Sequence, residues 1–318
     1  MTPTVGTTVD IPTDDGTADA YLTHPADGGP HPAVLLYMDA FGLRPSLRAM
    51  ADRLAGAGYT VLVPNVFHRS GRAPVVELPG FIDPGARPEI FQRLGPIMRS
   101  LTPDRATRDA DAYLRRLAGC PEAADGPVAL VGYCMGAGLA LRTAGTFPDR
   151  VAAVAGFHGA NLATDGPDSP HLVAGDITAE AYFAHADQDP GMDAGQQERL
   201  AAALTAAGVR HRCEVYAGAH HGYTQADTAA YDAEATERHW AALLDLLQRS
   251  SEPGRLSKPP VRGRSWRASP RRAPGGGVVT VPGCPTPHAI PPKAPAGAPP
   301  NPAPTGRSCP RAPRSCPG

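Results

Sequence analysis

Nowhere does the 318-residue chain come near the ~20 consecutive apolar residues that a membrane-spanning helix requires, so no membrane span is expected. The N-terminus opens on Thr, Pro and Asp rather than on basic residues followed by an apolar run, and no secretory leader is read from it. Cysteine is scarce. The six fall at 120, 134, 213, 284, 309 and 316, without C-x-x-C spacing. That pattern argues against a disulfide framework or a structural zinc site and points to a reducing, cytoplasmic setting. Neither a G-x-G-x-x-G fingerprint nor a P-loop occurs, which removes the usual signals of a nucleotide cofactor. Asp187-Gln188-Asp189 and His220-His221 offer metal-binding side chains but not at a familiar metal-site spacing, so neither a metal nor another cofactor is expected.

Acidic residues are nearly absent from the last part of the chain. From Ser251 to Gly318 there are 18 prolines and 11 Lys/Arg against a single acid, Glu252, although the whole chain has a formal charge of −1. An acidic body is therefore joined to a basic, proline-rich tail. Such a composition cannot bury enough apolar surface to fold alone, and residues 251–318 are expected to be disordered. A basic arm can touch nucleic acid or an acidic surface; the favoured reading is an extension with no part in the chemistry.

The remainder, residues 1–250, alternates apolar runs with amphipathic stretches, in a chain whose 42% hydrophobic content suffices for a sizeable core. Segments near 5–11 and 18–23 resemble an antiparallel hairpin. Strands are expected near 33–38, 60–63, 128–132, 151–156, 180–185 and 211–216, and helices over 47–57, 103–118, 136–146, 193–207 and 228–249. Alternating β and α predicts a mostly parallel central sheet covered by helices on both faces. The proline-studded stretch 65–101 is expected to lie over one edge of the site.

Within that pattern, residues 130–138 read Leu-Val-Gly-Tyr-Cys-Met-Gly-Ala-Gly. A buried strand, a glycine-crowded turn and a helix form the context of the G-x-S-x-G nucleophile elbow, with Cys134 in place of serine. The helix N-terminus favours a thiolate there. A small core cysteine in a βα turn is the competing reading. Downstream, Ala184-His185-Ala186-Asp187 ends an apolar stretch, and His220-His221-Gly222-Tyr223 follows an alternating strand. Nucleophile, acid and histidine thus occur in the α/β-hydrolase order.

Gly-Tyr-Cys-Met-Gly around Cys134, Ala-His-Ala-Asp ending at Asp187, His-His-Gly-Tyr at 220–223 and Met38-Asp39-Ala40-Phe41-Gly42-Leu43 together resemble the dienelactone hydrolase family, the cysteine branch of the α/β-hydrolases. Ala57–Pro64 also resembles that family's second core strand, and the likeness runs from about residue 8 to 249. The resemblance implies an α/β-hydrolase fold and hydrolysis of a small ester or lactone through a Cys-His-Asp triad and an acyl-enzyme. Cys134 would be the nucleophile, His221 the base and Asp187 the orienting acid, with Asp189 as the rival acid and His220 as a loop histidine. The backbone N–H groups of Met135 and Ala40 would form the oxyanion hole. Asp39 matches an acidic position that touches the nucleophile in the family; it either holds the thiol protonated at rest or merely caps its loop. Where the family places a carboxylate-binding arginine past the histidine, this chain has Gln225, which leaves Arg72, Arg87, Arg93 and Arg99 as candidates for an acidic substrate. A general carboxylesterase or thioesterase on the same triad, and a non-catalytic binding protein of the same fold, are the alternative readings.

Overall fold

The computed structural model describes residues 2–251; the expected disorder of the 251–318 tail therefore lies outside the described residues apart from Ser251, which ends the last helix. Eight strands form one sheet: β1 (Thr4–Thr13), β2 (Gly16–Pro25), β3 (Ala33–Tyr37), β4 (Thr60–Pro64), β5 (Val128–Tyr133), β6 (Val151–Phe157), β7 (Glu180–Gln188) and β8 (His211–His220). Their spatial order is β1-β2-β4-β3-β5-β6-β7-β8. The first hairpin and the β2–β4 pair are antiparallel, and every later pairing is parallel.

The central strands explain themselves. β3 reads AVLLY, β4 TVLVP and β5 VALVGY, and every residue of the three is buried. Parallel strands covered on both faces need such unbroken apolar runs. The covering helices are α1 (Pro45–Gly56), α2 (Arg87–Ser100), α3 (Pro103–Ala118), α4 (Met135–Thr146), α5 (Ala194–Ala206) and α6 (Ala233–Ser251). Proline starts α1, and Thr102 caps α3 by accepting the Arg105 N–H. α1 and α6 meet through Arg53, which pairs with Glu237 and lies 4.5 Å from the Trp240 ring centroid.

Helix α2 was not among the helices expected from sequence. It begins on Arg87-Pro88 and continues through Pro96, which leaves one turn without its backbone donor. The five prolines of 74–96 hide its periodicity. Its buried residues Ile90 and Leu94 pack with Phe41, Val76 and Ile82 in a small cluster separate from the main core.

The topology fixes where chemistry can occur. The chain passes from β3 to β4 on one side and then returns to place β5 on the other side of β3. The loops leaving β3 and β5 therefore diverge, and a crevice opens between their C-terminal ends, the usual ligand site of open α/β sheets. Because β3 and β5 to β8 run parallel, the residues following each of them gather at that same edge.

Candidate active site

Cys134 sits between β5 and α4 with φ +54° and ψ −120°. A non-glycine residue rarely adopts this conformation, and the surroundings must hold it there. Two glycines make the turn possible. A Cβ on Gly132 would stand 2.1 Å from the Gly136 carbonyl oxygen, and one on Gly136 would stand 2.6 Å from the Tyr37 and Met38 carbonyls. The turn is thereby pressed against the end of β3. The Cys134 N–H donates to the Phe157 carbonyl at 3.1 Å, anchoring the elbow to β6.

His221 is the first residue after β8. Its Nε2 lies 3.0 Å from the Cys134 sulfur, and its Nδ1 lies 2.6 Å from Asp189 Oδ2. The other Asp189 oxygen accepts the Gly191 N–H at 2.9 Å. Burial disfavours the charged imidazolium, but the charge on the Cys134 sulfur and the Asp189 carboxylate outweigh it and push the His221 pKa up to about 10. The arrangement favours the charged imidazolium of His221 at neutral pH.

Asp187 is not the residue that meets His221. The strand expected to end at 185 continues to Gln188, and its register with β8 shifts between Ala186 and Gln188. Asp187 turns to solvent, where it accepts the Gly218 N–H at 3.0 Å and the Gln188 side-chain amide at 3.2 Å. The Gly218 N–H holds its carboxyl below the ordinary range. Asp189, the first residue past the strand, is buried and reaches the imidazole instead.

Asp39 also departs from the thiol-contact expectation. Its Oδ1 accepts the Phe41 N–H at 2.9 Å, which is the loop-capping alternative, and Arg44 grips both of its oxygens at 2.7 and 3.0 Å. Among the described residues, the hydrogen-bond partner of the Cys134 sulfur is His221. Ala40 and Asp39 nevertheless line the same pocket as Cys134 and His221. Met135 opens α4, where a helix leaves its N–H groups without intrahelical partners. His220 is exposed.

Of the four arginines named from sequence, Arg87 reaches this pocket, on whose wall Phe41 and Phe91 pack with ring centroids 5.5 Å apart. It is half-buried, 5.9 Å from the Phe41 centroid, and makes no ion pair among the described residues. Arg72 instead pairs with Asp10, and Arg93 and Arg99 are exposed.

Two residues at the site went unread in the sequence. His158 follows β6 at φ +39° and is fully buried. Its Nε2 bonds Thr224 Oγ1 at 2.7 Å, and its ring stands edge-on to His221 with centroids 5.4 Å apart. Burial holds its pKa well below the usual value, so it is neutral. The signal was Phe-His-Gly at a strand end, which has no fixed chemical meaning alone. Arg44 is the other: it looks like an ordinary helix-start residue yet is 6% exposed.

The chain is similar to known proteins in both sequence and fold. A model of the dienelactone hydrolase family matches residues 18–251. A Synechocystis protein provisionally named carboxymethylenebutenolidase is 27% identical over 252 residues, covering 78% of this chain and 98% of its own. The carboxymethylenebutenolidase of Rhodococcus opacus is 26% identical over 236 residues, covering 72% and 85%. A Klebsiella pneumoniae structure, provisionally described as a dienelactone hydrolase, superposes with a TM-score of 0.68 at 21% identity, covering 78% of this chain and 99% of that one.

Proposed function

The chain belongs to the dienelactone hydrolase family and is a carboxylic ester hydrolase, and from that premise we propose that it cleaves a small ester or lactone through Cys134, His221 and Asp189. The observation that carries the reading is the chain of two hydrogen bonds, sulfur to Nε2 at 3.0 Å and Nδ1 to carboxylate at 2.6 Å. The thiolate attacks the carbonyl carbon, and the charge that develops on oxygen is met by the Met135 and Ala40 N–H groups. The His221 imidazolium then gives its proton to the departing alkoxide, leaving an acyl-enzyme. Neutral His221 next takes a proton from water, the hydroxide adds to the thioester, and the acid leaves as the thiolate is restored. Asp189 holds the proton of the imidazole on Nδ1 throughout, so Nε2 always faces the reacting atoms.

The pocket narrows the substrate. Phe41 and Phe91 offer an apolar wall, and Arg87 supplies a cation that makes no ion pair among the described residues. An ester or lactone that carries a second, anionic group fits both, with the anion at Arg87. A panel of a dienelactone, a neutral lactone, an aryl acetate and an acyl thioester, hydrolysed by wild type and Cys134→Ala side by side, tests the reading. Activity is expected to vanish in the variant and to be greatest on the acidic lactone. Hydrolysis that survives in Cys134→Ala refutes the thiol mechanism.

A further inference from the structure

We propose that Arg44 is a positioning residue that locks the loop carrying the Ala40 N–H to the loop carrying His221. The proposal rests on the acyl-transfer reading above.

Arg44 stands at the start of α1, buried among polar groups that no single loop supplies. On its own loop its guanidinium donates to both Asp39 oxygens and, at 3.2 Å, to the Gly42 carbonyl. Across the crevice it donates to Gln225 Oε1 at 3.0 Å and to the two Asp227 oxygens at 2.5 and 3.0 Å. These partners lie about 180 residues apart in sequence. Among the described residues, the hydrogen bonds between residues 39–44 and residues 221–228 are all made by Arg44. The second loop is tied onward, because the Asp227 carbonyl accepts the Ile82 N–H at 2.8 Å.

One cation between two carboxylates is a poor device for stability alone, since desolvating three charges offsets much of their attraction. What such a cluster supplies is register. The planar fork of arginine can hold two carboxylates in fixed directions, which a lysine ammonium cannot. Ala40 follows Asp39 directly, and His221 lies four residues before Gln225. The fork therefore sets the distance between an oxyanion donor and the base, two groups that must act on one carbonyl within fractions of an ångström.

The test compares two reactions of Cys134 in Arg44→Lys, with Asp227→Asn as the second variant. Ester hydrolysis needs the thiol, the histidine and the oxyanion donors. Alkylation by iodoacetamide, followed at the Cys134 peptide by mass spectrometry, needs the ionised thiol but forms no tetrahedral oxyanion. Arg44→Lys is expected to lower kcat on an aryl acetate about 10- to 100-fold, up to the ~10²-fold that a misplacement of about 1 Å can cost and below the ~10²–10³-fold of outright loss of an oxyanion donor. KM should change less than about threefold, and the rate and pH profile of alkylation should stay as in wild type. Asp227→Asn, which keeps the Asp39 pair and weakens the tie across the crevice, should show the same split more mildly. If Arg44→Lys does not fold, Asp227→Asn alone decides. Unchanged kcat, or hydrolysis and alkylation falling together, overturns the proposal. Failure of the parent reading shows in wild type, which would alkylate yet hydrolyse no ester, and that result removes this proposal with it.

Discussion

Replacing Asp189 by asparagine should disable the enzyme through the histidine tautomer rather than through lost charge alone. Asp189 has two duties: one oxygen accepts the Gly191 N–H and the other accepts from His221 Nδ1. An asparagine has one oxygen, and the Gly191 N–H needs an acceptor. The amide nitrogen is then left facing Nδ1, which must become an acceptor, and the imidazole proton moves to Nε2. There it points at the Cys134 sulfur 3.0 Å away, and the ring can no longer take the thiol proton. In the serine-protease triad the corresponding change costs about 10⁴ in kcat. Here a fall of about 10²–10⁴ is expected, equivalent to roughly 3–5 kcal/mol of transition-state stabilisation at 1.36 kcal/mol per tenfold. Steady-state hydrolysis of an aryl acetate measures it. Asp187→Asn serves as the matched control. Its exposed carboxylate touches Gly218 and Gln188, so kcat should stay within about threefold. A loss in Asp187→Asn equal to that in Asp189→Asn would refute the reasoning, as would full activity in Asp189→Asn.

Other expectations follow from neighbouring features of the site. The imidazolium of His221 should persist to about pH 10 by ¹⁵N NMR and deprotonate at lower pH in Cys134→Ala, because the Cys134 sulfur is one of its supports. Since that pKa is raised by folding, its contribution to stability is fully present below about 6.5 and is lost as pH rises through about 10; melting curves at pH 7 and 10.5 should show a larger loss in wild type than in His221→Ala, which retains the other buried groups that titrate in this range. Gly132→Ala must displace the Gly136 carbonyl at 2.1 Å, so destabilisation at or beyond the upper end of the ~1–3 kcal/mol overpacking range is expected, with Tm lowered by about 6–12 °C; a Tm within 2 °C of wild type, about what under 1 kcal/mol produces, would contradict it. Arg87→Met should raise KM at least about tenfold for an acidic lactone and leave a neutral one unchanged, the discrimination that loss of a charge-assisted bond produces. Equal effects on both substrates would remove Arg87 from substrate binding.

The fold was legible because burial writes a simple pattern. The fully buried strands β3, β4 and β5 are unbroken apolar runs, and the hairpin and all six later strands lie where those runs and alternations predict. α3 spans 103–118 as expected because its apolar stripe is clean and Pro103 marks its start. α2 escaped because its prolines speak against a helix locally, while its stability comes from Ile90 and Leu94 packing on Phe41, a contact remote in sequence.

The site divides along the same line. Cys134 could be read because the strain of its turn demands Gly132 and Gly136, and glycines at those spacings are visible in the chain itself. His221 could be read because it directly follows a strand and few other residue types do its work. The acid could not be fixed, because choosing Asp189 over Asp187 depends on three further residues of β7 and on a register shift against β8. A one-residue slip in a strand moves every side chain to the other face, and no local propensity reports it. Arg44 was hidden for a stronger reason: its ties across the crevice are to Gln225 and Asp227, about 180 positions away. The substitution that looked like a loss, Gln225 in place of an arginine, reads differently beside it. Gln225 presents its side-chain oxygen to a guanidinium that the opposite loop contributes, so this position serves as a partner of Arg44 in the tie between the two loops.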